Sequence, residues 1–336
     1  MRKELPLAEP PKKSHLFYAL PLAVIMNTED MWNWYYSEFI QMFTFRVGGN
    51  RELLLYNYGV TDEYEPLEIL RANRYPLRLN EDLIKLYCMF IDNGYYPYML
   101  CDDFHISTMD IKIHRLHDIM IYGYDDIAKT FMAYAYNGAQ LQKFNISYED
   151  VLKAYYSNDI DETFQLTQFY RKSDKKYKLE FEKIKWHLLD YYEGVSTMER
   201  ERPYSWQKPY SVWGMKIYNE LIDKYKYFKE KNEQVITSNI YCLYEHKRDM
   251  VNRIKYLANH SPFECTNEIL VDFEKIMKEA SLLVNLNIKL NLKIDSSKNA
   301  EQDFLSIMSG LDKVHKLEKK AFEKYLNYNE KVITWI

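Results

Sequence analysis

Between residues 95 and 137 the chain runs in short apolar, aromatic-rich stretches broken by turn signals, a pattern that fits an antiparallel sheet and little else. The stretches fall at 96–100, 117–124 and 130–137, with Asp125-Asp126 and Asn137-Gly138 at the turns. Beyond about residue 161 the periodicity changes. Apolar residues recur at helical spacing, with Lys and Glu between them, over 213–228, 240–258, 268–288 and 300–326. One loop, 193–209, carries Gly194, Pro203 and Pro209, and Asp295-Ser296-Ser297-Lys298-Asn299 is a second. No strand is expected in this half.

The remaining elements follow from caps and breakers. Pro21 is tolerated in a helix's first turn and not in its middle, so the buried run at 14–26 predicts a helix starting near Leu20. Aromatics at three and four spacing over 28–45 predict a second helix, capped by Asp30 and ended by Gly48-Gly49-Asn50. A strand is expected at 53–58. Asn80-Glu81-Asp82 opens a helix over 83–91, stopped by Asn93-Gly94, and Ser147 caps one that runs to Tyr156. The fold class is therefore α+β: an N-terminal domain over 1–158, with a helix on an antiparallel sheet, and an all-helical domain over 159–336.

Composition narrows the function. A chain of 336 residues with 47% hydrophobic and 28% charged residues buries a core for each domain. The net charge of -4 offers no positive field for a phosphate backbone, which argues against nucleic acid. No stretch approaches the roughly 20 apolar residues that span a bilayer, and the first 26 residues do not read as a signal peptide. Cys88, Cys101, Cys242 and Cys265 lie far apart, which fits a reducing cytoplasm better than a disulfide scaffold. The 32 tyrosines read as half-buried packing residues between elements.

The most informative segment is Leu116-His117-Asp118-Ile119-Met120-Ile121-Tyr122-Gly123-Tyr124-Asp125-Asp126, followed by Thr130 to Asn137. It resembles the histidine strand of papain-fold families of the bacteriocin-leader-peptidase and butirosin-biosynthesis-protein-H type. Asn93-Gly94-Tyr95-Tyr96-Pro97-Tyr98, Asp102, Asp103 and the segments 144–150, 213–218 and 243–257 extend the resemblance over most of the chain. It implies a papain-like first domain in which His117 is the base and Asn137, or a polar group near it such as Tyr134 or Tyr136, holds the imidazole tautomer. It also implies a nucleophilic cysteine at the start of the first helix, where the helix dipole favours thiolate. Residues 14–20 contain none. Ser14 is the nearest nucleophile-type side chain, and Ala19 is a position from which such a nucleophile could have been lost.

The resemblance implies acyl transfer or amide-bond formation in natural-product assembly. The donor would be an acyl or peptidyl carrier protein thioester, the acceptor a small-molecule amine, and no cofactor would be used. The alternative is a non-catalytic homologue acting as a binding or scaffold protein in the same pathway. A homodimer is left open. Cys101, at a strand end beside Asp102 and Asp103, reads as structural, because acidic neighbours raise a thiol's pKa. His105 and His114 with Asp102 and Asp103 offer metal-type ligands, yet no spacing sets three of them on one rigid element, so no metal site is expected. His246 reads as part of a charged helix face, with a buried acid between helices as its other candidate partner, and the lysines from Lys172 onward as solvated surface.

Overall fold

The computed structural model describes residues 1–45, 55–56, 64–73, 80–157, 165–171, 175–197 and 211–334. In chain order the strands are β1 (Arg2–Glu4), β2 (Met42–Phe45), β3 (Leu55–Tyr56), β4 (Leu67–Asn73), β5 (Tyr96–Asp102), β6 (Leu116–Asp125), β7 (Thr130–Asn137), β8 (Gln140–Ser147), β9 (Gln165–Arg171) and β10 (Ser211–Trp213). The helices are α1 (Leu16–Ile25), α2 (Met31–Glu38), α3 (Asn80–Asp92), α4 (Tyr148–Tyr156), α5 (Phe181–Glu193), α6 (Ile217–Lys231), α7 (Thr237–His260), α8 (Asn267–Asp295), α9 (Glu301–Tyr328) and α10 (Glu330–Thr334). The chain is mixed α and β, an antiparallel sheet followed by a helical C-terminal region.

Contacts divide it into two compact units, Met1–Met31 with Asp62–Lys176 and Trp32–Thr61 with Tyr177–Ile336. This partition differs from a single cut after residue 158. The reason is β9, which returns to the first unit's sheet, pairing Phe169 with Ile69 of β4 on one side and with Tyr96 of β5 on the other.

That sheet has seven antiparallel strands in the order β4-β9-β5-β6-β7-β8, with β1 also pairing with β6. Its faces follow from strand alternation. On one face the Phe131 ring lies 5.8 Å from Tyr87 of α3 and 4.6 Å from Tyr148 of α4. On the other, the Tyr96 hydroxyl donates to the Pro6 carbonyl at 2.7 Å and the Tyr136 hydroxyl donates to the Lys13 carbonyl. The segment leading into α1 therefore crosses that second face, and α1 packs along β6, β7 and β9. A bulge interrupts the β6–β7 register between Ile121 and Gly123. A Cβ on Gly123 would stand 2.7 Å from the Lys3 carbonyl oxygen, so only glycine lets β1 approach there.

The first helix begins at Leu16, one turn earlier than Pro21 suggests, and Pro21 lies inside it. Proline has no N–H to give the carbonyl four residues back. That carbonyl belongs to Phe17, and the Tyr64 hydroxyl donates to it at 2.8 Å. The local defect is thus satisfied from another segment. Ser147 caps α4 as expected, its hydroxyl accepting from the Asp150 N–H at 3.0 Å.

In the second unit α6, α7, α8 and α9 fall on the four expected helical stretches, with α8 packed on both α7 and α9, and α9 on α6. The expected single helix over 28–45 is instead α2 followed by strand β2, which joins β10 and β3 in a three-stranded antiparallel sheet. Phe43 and Trp213, paired across that sheet, stack at 4.6 Å. Arg253 of α7 explains where α2 stops. Its fully buried guanidinium donates to the Tyr36 carbonyl at 3.1 Å and the Phe39 carbonyl at 2.7 Å, taking up carbonyls at the helix's end.

His246 is not on a solvated face. It is fully buried, with Nε2 2.8 Å from the Ile40 carbonyl and Nδ1 3.2 Å from the ammonium of Lys247. Lys247 in turn donates to both oxygens of Glu318 at 2.7 and 2.8 Å and to the Tyr191 hydroxyl at 2.7 Å, while Tyr218 donates to Glu318 at 2.6 Å. Desolvation and the Glu318 charge hold both phenols well above their ordinary pKa. The four cysteines are free thiols, and no helix among the described residues is long and apolar enough to cross a membrane. Gly48-Gly49-Asn50, Lys172, Pro203 and Pro209 lie outside the described residues, as does most of the strand expected at 53–58.

Candidate functional site

The end of β5 and the start of β6 are adjacent in the ladder, Cys101 opposite His117 and Asp102 opposite Leu116. Two 3-10 turns, Asp103–His105 and Ser107–Met109, leave β5, and Asp110 then reverses the chain in the left-handed region at φ 44°. The returning segment sets His114 and Arg115 against Asp102 and Asp103.

Asp103 is fully buried. Arg115 Nε donates to its Oδ2 at 2.8 Å, His117 Nδ1 lies 3.7 Å from the same oxygen, and Oδ1 accepts no hydrogen bond. A separation of 3.7 Å is too long for a hydrogen bond. Burial pushes the Asp103 carboxyl up, against the opposing pull of the Arg115 guanidinium. Burial, helped by Arg115 and opposed by Asp118, pushes the His117 imidazole below its ordinary 6.5. Burial and Arg115 both favour the neutral imidazole, the form a general base requires.

Asp102 is equally buried, at 1% exposure. Its Oδ1 accepts from the N–H groups of Phe104 at 3.2 Å and Arg115 at 3.4 Å. Its Oδ2 accepts from Ser157 Oγ at 2.9 Å, meets His114 Nδ1 at 2.7 Å and lies 3.5 Å from His105 Nε2. Burial works to raise this carboxyl, but hydrogen bonds from His114, Ser157 and Phe104 outweigh it and hold the group below its ordinary value. One ligand-type atom each from Asp102, His105 and His114 lies within 4.8 Å of the others. No three of these ligands lie on one rigid element, as their spacing implies; they come from a strand end, a 3-10 turn and a returning loop.

The residues expected to form a catalytic triad do not assemble as one. His117 is the second residue of β6, and Asn137 the last of β7. Because Met120 pairs with Tyr134, alternation puts Met120, Tyr134 and Tyr136 on one face and His117 on the other. Asn137 shares the His117 face, but its amide donates to the Thr108 carbonyl at 3.1 Å. Ser14 precedes α1, next to the capping residue His15, in the segment that Tyr136 holds on the opposite face. The His117 ring makes no hydrogen bond to Ser14 or Asn137; the carboxylate facing it is Asp103. Cys101, across the ladder from His117, is 1% exposed, which suits packing rather than attack on a substrate.

Compared with protein-family models and with curated proteins, the chain matches none.

Proposed function

We propose that the chain is a papain-like protein of cytoplasmic natural-product assembly that binds a carrier-protein thioester without forming an acyl-enzyme. Papain-likeness is supported by a buried helix, α1, packed on an antiparallel sheet whose β6 carries a histidine as its second residue. The observation that carries the non-catalytic reading is the separation of Ser14 from His117 onto opposite faces of that sheet, combined with Ser-His-Leu at the helix start, where a thiol would be needed. On this reading the chain acts as a binding or scaffold protein for an acyl or peptidyl carrier protein, the partner that the family resemblance implies.

A second reading, acyl transfer to a small-molecule amine, is favoured by one feature. The half-buried imidazole of His117, 3.7 Å from the Asp103 carboxyl, has the composition of a base and its orienting group.

An acyl-pantetheine thioester distinguishes the two. Titration calorimetry should give saturable binding at one site, with the intact mass of the protein unchanged after prolonged incubation. An adduct mapping to residues 14–20, or amide product that disappears in His117→Ala, overturns the binding reading in favour of transfer. Absence of any thioester binding overturns both.

A further inference from the structure

We propose that Asp102, His105 and His114 form a binding site for a divalent transition-metal ion, with zinc the best fit. The inference is independent of the thioester reading.

Tetrahedral zinc with ligand bonds of about 2.0–2.1 Å sets its ligand atoms about 3.3 Å apart. Two of the three separations, 2.7 Å from Asp102 Oδ2 to His114 Nδ1 and 3.5 Å to His105 Nε2, bracket that value, and all three atoms lie within 4.8 Å of one another. Imidazole with carboxylate is the donor set of zinc and of iron(II) sites, not of calcium or magnesium.

The surroundings are those of a built ligand rather than a chance surface pair. The Asp102 carboxylate is 1% exposed, and its second oxygen is fixed by the backbone N–H groups of Phe104 and Arg115. Ser157 Oγ adds a bond to Oδ2, the oxygen aimed at the two rings. Such outer contacts orient a metal ligand and hold its position. The Phe104 ring lies 4.0 Å from the His114 ring and 5.4 Å, edge-on, from that of His105, limiting the rotation of both. The neighbouring cation of Arg115 turns its Nε to Asp103.

Binding leaves the proton count balanced when both rings are neutral. The proton on the His114 Nδ1 that meets Asp102 moves to Nε2, and Nδ1 then offers its lone pair to the metal. The His105 and His114 side chains are 25% and 39% exposed, so a fourth coordination position opens to solvent, where water or a ligand's anionic group would bind.

The full-length protein, stripped with a chelator and dialysed, should take up one Zn²⁺ per chain by elemental analysis. Co²⁺ should give visible d–d absorption of a four- or five-coordinate site. His105→Ala and His114→Ala replace half-exposed side chains, so the fold should survive, as circular dichroism checks. Each should weaken Zn²⁺ binding at least about 100-fold, more than loss of an outer-sphere contact costs. Zn²⁺ should raise the Tm of the unaltered protein and not of either variant. Failure to bind stoichiometric Zn²⁺, or equal binding in both variants, as adventitious capture by the four cysteines would give, overturns the proposal.

Discussion

The Nζ of Lys247 lies 2.7 Å from Oε1 of Glu318, and each side chain is about 1% exposed. An ion pair withdrawn from water to that degree is held by its completeness: removing one member strands the other, at a cost of about 3–5 kcal/mol. Lys247→Met and Glu318→Gln should each destabilise the chain by that order in urea unfolding. The double variant should lose less than the sum, because a neutral glutamine still accepts from Tyr191 and Tyr218. Single-variant losses below about 1 kcal/mol would show that the pair is solvated.

His117 should titrate below its ordinary 6.5, because burial and Arg115 both disfavour the imidazolium. The sign for stability follows from linkage. The unfolded chain binds this proton first as pH falls, so the contribution of His117 is complete above about pH 6.5 and is lost on acidification toward its folded value. Arg115→Gln removes a cation that lowers the ring, so the titration should move to higher pH. Imidazole carbon shifts in chelator-treated protein read both directly. An unchanged or lower value in Arg115→Gln would refute the assignment.

Tyr64→Phe should cost about 1–2 kcal/mol, the range for leaving a carbonyl without a partner in a packed region. The same change in a Pro21→Ala background should cost less, because the alanine N–H supplies the Phe17 carbonyl from within the helix. A thermodynamic cycle over the four proteins tests this, and additive effects would mean that Tyr64 does not answer the proline.

Arg253→Met keeps most of the side chain's volume and removes its donors. It should cost about 2–4 kcal/mol, since two buried carbonyls at the end of α2 lose charged partners. Thermal unfolding followed by circular dichroism measures it. A variant as stable as the parent would mean that water replaces the guanidinium.

The strands legible in the sequence were those whose apolar runs are buried and bounded by strong turns: β5, β6 and β7 lie within two residues of expectation. Strands β8, with Gln-Leu-Gln-Lys-Phe-Asn-Ile-Ser, and β9, with Gln-Leu-Thr-Gln-Phe-Tyr-Arg, went unseen because half-polar alternation reads as loop or helix until a neighbouring strand is known. The start of α1 was misplaced because the compensation for Pro21 comes from Tyr64, 47 residues from the carbonyl it serves. His246 reads as part of a charged helix face because charge on a helix is normally solvated; its partners are the Ile40 carbonyl, 206 residues away, and Lys247, whose own partner Glu318 is 71 residues further on. At the candidate site His117 and its strand were legible, whereas Asp103 facing it and the convergence of Asp102 with His105 and His114 depend on a loop conformation that no periodicity encodes.

Because β9 is threaded between β4 and β5, those two strands have no direct ladder to each other. A ribosome that has released only the first 158 residues has exposed a split sheet with a vacant slot and two unsatisfied edges. Completion waits for a strand made later, and the segment 32–61, already synthesised, waits longer still for helices near the C-terminus. Each unit is built from two separate segments of the chain, so no single cut separates them, and dissection at one peptide bond should yield aggregates rather than two working pieces.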